Sequence, residues 1–265
     1  MVLGKPDRLT RLPGTGQPET PPFEVAWRER FEEFATGSDD DAGIAGWSPS
    51  GLETRMRRFA GLYKVGKRGE RWLDAGCGAG TYARMLLGHG ADVVGVDYSF
   101  PTILKAKARS TSAVKLAVAD VRRLPFRSGS FDGVLCFGVM QALSDSEAAL
   151  RELATLPAAG GQVWVDALNR WCVVNAWDIF RRKLAGRPLH LRYESPWVIK
   201  RRMAAEGLAN VELHWMPIVA RRWPRLQRAI ERPAARWLFK YIPMVGLFLC
   251  HSFIVGGEKV ASSRS

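Results

Sequence analysis

The chain has 265 residues, enough for one α/β domain with a sizeable core and some embellishment. Its formal net charge of +13 is lopsided: residues 1–168 carry 21 Lys+Arg against 20 Asp+Glu, and residues 169–265 carry 18 against 6. Four isolated cysteines (Cys77, Cys136, Cys172, Cys250) with no C-x-x-C pair exclude a disulfide framework and a cysteine zinc site, and predict reduced thiols in a cytoplasmic protein.

Residues 1–22 are rich in Pro, Gly and Thr and lack an apolar h-region, so a disordered segment is expected and a cleavable signal is not. Residues 23–66 are expected to form cap helices. Phe23 to Ala35 places Phe23, Trp27, Phe31 and Phe34 on one helical face, which suits either a cap over a ligand or a helix on a sheet flank. Asp39-Asp-Asp41 is expected to be a solvated loop, and a second helix runs from Leu52 to Tyr63. Arg71 to Ala75 is then a short buried strand. Gly76, Gly78 and Gly80 follow, a turn in which the backbone can approach a ligand without a Cβ in the way. Thr81 to Gly88 has helical apolar spacing, and Ala91 to Asp97 is a second strand ending in an acid. A carboxylate at Asp97 can accept both hydroxyls of a ribose. Strand, glycine turn, helix, strand, acid is how an open parallel sheet presents a nucleoside-type ligand above its strand ends.

A lone G-x-G-x-G is weak evidence, but Asp74 stands two residues before the first glycine and Cys77 lies between the first two. Leu73-Asp-Ala-Gly-Cys-Gly-Ala-Gly80 closely resembles motif I of the class I S-adenosylmethionine-dependent methyltransferases, of the small-molecule, methyltransferase domain 11-like type. Val114 to Asp120 is similar to the family's third strand. Leu124 to Leu143 is similar to its "LPF…sFD" loop and fourth strand. Glu147 to Leu156 reads as the next helix, and Gly160 to Asp166 looks like the fifth strand. Ala154-Thr-Leu-Pro-Ala-Ala-Gly160 departs from the family's basic turn. Gln141 replaces the common histidine or glutamate, which removes histidine chemistry at that position.

The resemblance implies a Rossmann-like, seven-stranded, mostly parallel sheet with helices on both faces, an antiparallel last strand and helical lid insertions. It implies S-adenosyl-L-methionine as cofactor, held by residues 67–168. Asp74 would hold its amino-acid end, Asp97 its ribose and Asp120 its adenine. Ala75, Gly76, Cys77, Gly78, Gly80, Tyr98, Val121, Phe137 and Gly138 would line the site. No metal is expected.

Residues 169–265 complete the same domain, with expected lid insertions at 169–195 and 216–250. Asn169 to Lys183 reads as a helix, Pro196 to Glu206 as the last family helix, and Asn210 to Trp215 and His251 to Glu258 as strands six and seven. Between those strands, Arg221, Arg222, Arg225, Arg228, Arg232 and Arg236 recur at near-helical spacing before an apolar run, Tyr241 to Leu249. That run is too short to span a bilayer. The segment 221–250 suits either a lid or a peripheral membrane contact, which would place the protein in the cytoplasm or at the inner face of the membrane. Seven of ten tryptophans also fall between Trp164 and Trp237.

A sulfonium methyl is already activated, so methyl transfer asks mainly for positioning in a dry pocket. Should an oxygen acceptor need a base, Asp166 at the end of strand five and His190 in the lid are the candidates. Tyr193 and His214 follow. No N/D-P-P-Y/F follows strand four and no Pro-Cys nucleophile is present, which argues against amino-methylation of adenine or cytosine in nucleic acid and against 5-methylcytosine chemistry. The expected activity is O-methylation of a small anionic or hydrophobic metabolite: a lipid, a quinone precursor or a linked sugar. The alternatives are a tRNA-modifying methyltransferase, whose phosphates the basic tail would hold, and a non-catalytic cofactor-binding protein.

Overall fold

A computed structural model describes residues 22–63, 68–217, 224–230 and 232–260. The expected disorder of the N-terminal segment therefore falls outside the described residues but for Pro22, and so do Arg221 and Arg222. The first helix, α1 (Pro22–Gly37), is followed by a single turn, α2 (Asp41–Ile44), and by α3 (Pro49–Ala60). Asp40 and Ser48 cap the latter two by accepting from Gly43 N and Gly51 N. In the acid run between α1 and α2, Asp39 and Asp40 are exposed as expected and only Asp41 is partly buried. Asp41 pairs with Arg84 and Arg109, and Asp39 with Lys105, because three cations on the neighbouring helices face it.

Alternation then begins: β1 (Arg71–Ala75), α4 (Thr81–Gly88), β2 (Asp92–Asp97), α5 (Phe100–Arg109), β3 (Lys115–Val118), β4 (Phe131–Cys136), α6 (Glu147–Thr155) and β5 (Pro157–Leu168). The chain continues through α7 (Val173–Leu184), α8 (Pro196–Ala205), β6 (Leu208–Met216), α9 (Pro224–Ile230), α10 (Pro233–Tyr241), α11 (Pro243–Leu249) and β7 (Ser252–Lys259). The sheet order is β3-β2-β1-β4-β5-β7-β6; β1 to β5 run parallel, and β7 lies antiparallel between β5 and β6. The seven-stranded, Rossmann-like architecture expected from the sequence is the observed one. Several boundaries moved: α3 lies at Pro49–Ala60 instead of Leu52 to Tyr63, and β5 runs from Pro157 to Leu168 instead of Gly160 to Asp166. Asn169 turns the chain before α7, so that helix starts at Val173. β3 ends at Val118, two residues short of Asp120, which instead bridges Arg123. The basic stretch is not one helix, because Pro233 and Pro243 start new ones and the apolar run becomes α11.

Strand alternation sorts the core into two layers. Leu73, Val134, Val163, Val165, Phe253 and Val255 join the layer under α6 and α8. Trp72, Leu135, Trp164 and Ile254 face the other way, toward α3 and α4. Phe59 of α3 is the hub of that second layer, with ring centroids 5.2–6.4 Å from Tyr63, Trp72, Tyr82, Phe137 and Trp164. Large indoles lie flat on glycines. A Cβ on Gly133 would stand 2.4 Å from Trp72, and one on Gly256 would stand 2.3 Å from Trp164. Asp74 and Asp166 share the strand parity of Trp72 and Trp164, so both acids point to the α3/α4 side.

Candidate active site

After β1 the chain returns to opposite sides of it, toward β2 and then β4, so a crevice opens above the carboxyl ends of these strands. The turn at 76–80 fills its floor. Gly76 has φ +80° and its Cβ would lie 2.2 Å from Val139 Cγ2, so only glycine fits there. Gly76 N and Cys77 N donate to Val96 O, which holds the turn against β2. Gly78 N donates to Asp97 Oδ2 at 3.1 Å and Ser99 N donates to Asp97 Oδ1 at 2.9 Å.

A cavity in the crevice is lined by Gly76, Cys77, Gly78, Asp97, Tyr98, Asp120, Val121, Phe137 and Gly138. The expected residues Asp74, Ala75 and Gly80 stand behind that wall. Gly80 begins α4, and Asp74 accepts Ala83 N at 3.1 Å, fixing the helix onto the turn. Burial pushes the Asp74 carboxyl up to about 7 and the Asp97 carboxyl up to about 6. It also pushes the Cys77 thiol up. Burial alone would raise Asp120 as well, but Arg122 grips both its oxygens and the net displacement is downward. Tyr82 also lines the cavity. Its hydroxyl is buried without a hydrogen-bond partner among the described residues.

Helix α1 lies over the mouth. Glu24 is buried, pairs with Arg122 and accepts from Ser144 N and Oγ; Tyr98 Oη donates to Trp27 O at 3.2 Å. Trp27, Phe31, Ala45 and Trp47 line this cavity and also a second one of about 450 Å³. The second cavity adds Phe34, Leu168 and Leu191 and the polar groups of Ser48, Arg55, Gln141 and His251. Burial, then the nearby Arg55 charge, pulls His251 down to about 4, so its imidazole is neutral.

The two expected bases, Asp166 and His190, line neither cavity. Asp166 is buried; its Oδ2 accepts Arg55 Nε at 3.0 Å and its Oδ1 accepts Gly138 N at 2.7 Å. Desolvation holds its carboxyl above the usual range despite Arg55. His190 sits by Asp178 and Arg182, its Nδ1 buried without a partner among the described residues, and burial lowers its pKa. Sequence reasoning passed over Arg55, Tyr82 and His251. Arg55 had left a signal: with Leu52 and Phe59 it falls on the buried face of its helix, where an unpaired cation would be costly.

Known proteins share sequence and fold with this chain. Residues 73–165 match the family model of a methyltransferase domain. The chain is 26% identical over 172 residues to a ubiquinone biosynthesis O-methyltransferase of Acinetobacter baumannii, covering 60% of this chain and 73% of that protein. It is 37% identical over 112 residues to a demethylmenaquinone methyltransferase of Beutenbergia cavernae, covering 42% of this chain and 46% of the other. Among solved structures it resembles a chain of the complex between the Haloferax volcanii Trm112 methyltransferase activator and a methyltransferase. There the TM-score is 0.62 at 20% identity, covering 91% of this chain and 97% of that one, a likeness of fold.

Proposed function

This chain belongs to the class I S-adenosylmethionine-dependent methyltransferases through its domain at 73–165, and from that premise we propose that it methylates an oxygen of a small, largely apolar acceptor bound in the second cavity. One observation carries the reading: the two cavities share Trp27, Phe31, Ala45 and Trp47 in their walls, so they adjoin. The residues of the first cavity fit the cofactor. Gly78 leaves open backbone, with only Ala45 Cβ within 4 Å of where a Cβ would stand, and the orphaned Tyr82 hydroxyl awaits a polar partner. Asp97 would take the ribose hydroxyls, Asp120 and Val121 the adenine edge, and Phe137 and Gly138 the wall beneath it. Asp74 would act through the turn it anchors, on the amino-acid end. When bound, S-adenosylmethionine supplies an activated methyl group.

The chain's own task is then to orient the acceptor and exclude water. The aromatic wall does the latter. His251 and Gln141 are placed to hydrogen-bond an acceptor oxygen, and a neutral imidazole accepts from a hydroxyl. At about 4, however, His251 is a weak base near neutral pH, and both Asp166 oxygens are engaged. No carboxylate lines the described wall of the second cavity. The reading therefore favours an oxygen that is acidic by itself, a phenol, enol or carboxylic acid, on an apolar body such as a quinone precursor or lipid. The contact with a membrane surface expected through 221–250 belongs to the same reading. In its described part Trp237, Tyr241, Ile242, Met244, Phe248 and Leu249 are exposed.

Incubation with methyl-labelled cofactor and, separately, a lipid extract, a polar extract and total RNA tests this. Label is expected in a base-labile ester or an aryl ether of the lipid extract. Label in RNA alone would overturn the acceptor class and leave the cofactor assignment standing.

A further inference from the structure

Helix α7 is built inside out. Its one buried residue is Asn175, whose Nδ2 donates to Asn169 O at 2.7 Å and His251 O at 3.0 Å and pins the helix start to the end of β5. Val173, Trp177, Phe180 and Leu184, spaced four, three and four, form one stripe and are all exposed. Trp177 is 63% and Leu184 78% exposed, and Trp177 and Phe180 pack on each other at 5.7 Å rather than on the body of the protein. Trp171 and Val174 widen the stripe. An apolar patch of this size on a short helix needs a cover. Cations flank it: Arg170, Arg181, Lys183 and Arg187 are all exposed, while Asp178 is half-buried beneath, held by Arg181 and Arg182. It lies in residues 169–265, which hold 18 basic against 6 acidic residues.

We propose that α7 is a bilayer-docking helix, which lays its tryptophan stripe into the headgroup boundary of an anionic membrane while its arginines and lysine bind lipid phosphates. Indoles prefer that boundary, and cations beside an apolar stripe meet the negative surface there. The charge decides the occupant: a second copy would bring the same cations to the patch, and like charges repel. Position gives the docking a purpose. The strap that leaves α7 returns through Leu191 to the wall of the second cavity, and Tyr193 Oη donates to Asp178 of α7 at 3.3 Å. Docking brings that strap, and with it one wall of the cavity, near the bilayer. In this the inference deepens the lipid-like acceptor reading and rests on it; the contact itself stands on α7.

The test is co-sedimentation of the full chain with vesicles of phosphatidylcholine carrying phosphatidylglycerol, and with phosphatidylcholine alone, at low and moderate salt. Binding is expected to the anionic vesicles and to weaken with salt. Trp177→Gln with Phe180→Gln is expected to weaken it by about tenfold or more, from the apolar area withdrawn. Arg181→Glu with Lys183→Glu is expected to abolish the preference for anionic lipid. Because these side chains are exposed, S-adenosylmethionine affinity and thermal midpoint should stay at the parent's values in both variants. Undiminished vesicle binding by both variants, or loss only when Trp237 and Tyr241 are replaced, overturns the role of α7. So does a parent chain that dimerises through α7 and ignores vesicles. A vesicle-bound enzyme that labels only RNA would keep the docking helix and sink the acceptor reading.

Discussion

Asp74→Asn should make the ligand-free protein more stable and a poorer cofactor binder at once. Burial lifts the Asp74 carboxyl from 3.8 to about 7, with neighbouring Asp97 adding to the rise, while the bond from Ala83 N and the Arg84 charge oppose it. Between about pH 4 and about pH 7 the folded protein keeps a proton that the unfolded chain has released. Stability from this group is thus present at low pH and lost as pH rises through that window. At about 1.4 kcal/mol per pH unit, the buried charge costs about 4 kcal/mol at pH 8. Asparagine keeps an oxygen for Ala83 N but brings an amide donor that costs about 1 kcal/mol if unmet. The net gain is about 2–4 kcal/mol at pH 8, a rise of roughly 5–10 °C in thermal midpoint for a chain of this size. Near pH 5 the variant and parent should nearly coincide. His251 works in the opposite sense: its lowered pKa makes stability fall as pH drops from 6.5 toward about 4, so the variant must be read as a difference from the parent. The assay is urea unfolding at pH 5 and pH 8 with equilibrium dialysis of S-adenosylmethionine, whose affinity should drop at least tenfold, or about 1.4 kcal/mol. A variant that is less stable at pH 8, or equally stabilised at both pH values, would refute the buried charge.

Gly76→Ala forces a Cβ to 2.2 Å from Val139 in a left-handed backbone, and should cost about 2–4 kcal/mol in urea unfolding as well as cofactor affinity. Adding Val139→Ala should restore the steric part and leave the backbone part. Arg55→Met strands the buried Asp166 carboxylate and should cost about 3–5 kcal/mol at neutral pH, most of it recovered by adding Asp166→Asn, which still accepts from Gly138 N. A double variant no better than the single would show that Arg55 acts through its packing on Trp47 instead. His251→Gln should lower kcat for an oxygen acceptor several-fold with cofactor Kd unchanged; an unaltered kcat excludes it from orienting the acceptor.

The alternating half of the chain was legible because its signals are local. Arg71 to Ala75 and Thr81 to Gly88 fall where periodicity and glycine put them, since a buried strand and a one-sided helix each write their own pattern. The fates of Asp166 and Asp41 were not legible. Asp166 sits at the strand end where a base would stand, but its partner Arg55 lies 111 positions earlier, and no spacing rule reaches that far. Asp41 likewise looked like part of a solvated acid run until Arg84 and Arg109 closed on it from other helices. The basic stretch misled for the opposite reason. Arginine spacing kept a helical period across Pro233, while the missing N–H and the ring broke the helix there.

The insertion of β7 between β5 and β6 also constrains how the protein is made. Until residues 252–259 have left the ribosome β6 has no partner and β5 has only β4, so the far edge of the sheet cannot zip during synthesis. The pairs Trp164 with Gly256 and Ala167 with Phe253 form only with this late strand, and until it arrives the chain carries an unpaired β5 edge open to wrong partners. Speed of completion, rather than final stability, should then limit the yield of active protein, and a cut before Ser252 should leave a cofactor half that aggregates instead of a smaller working enzyme.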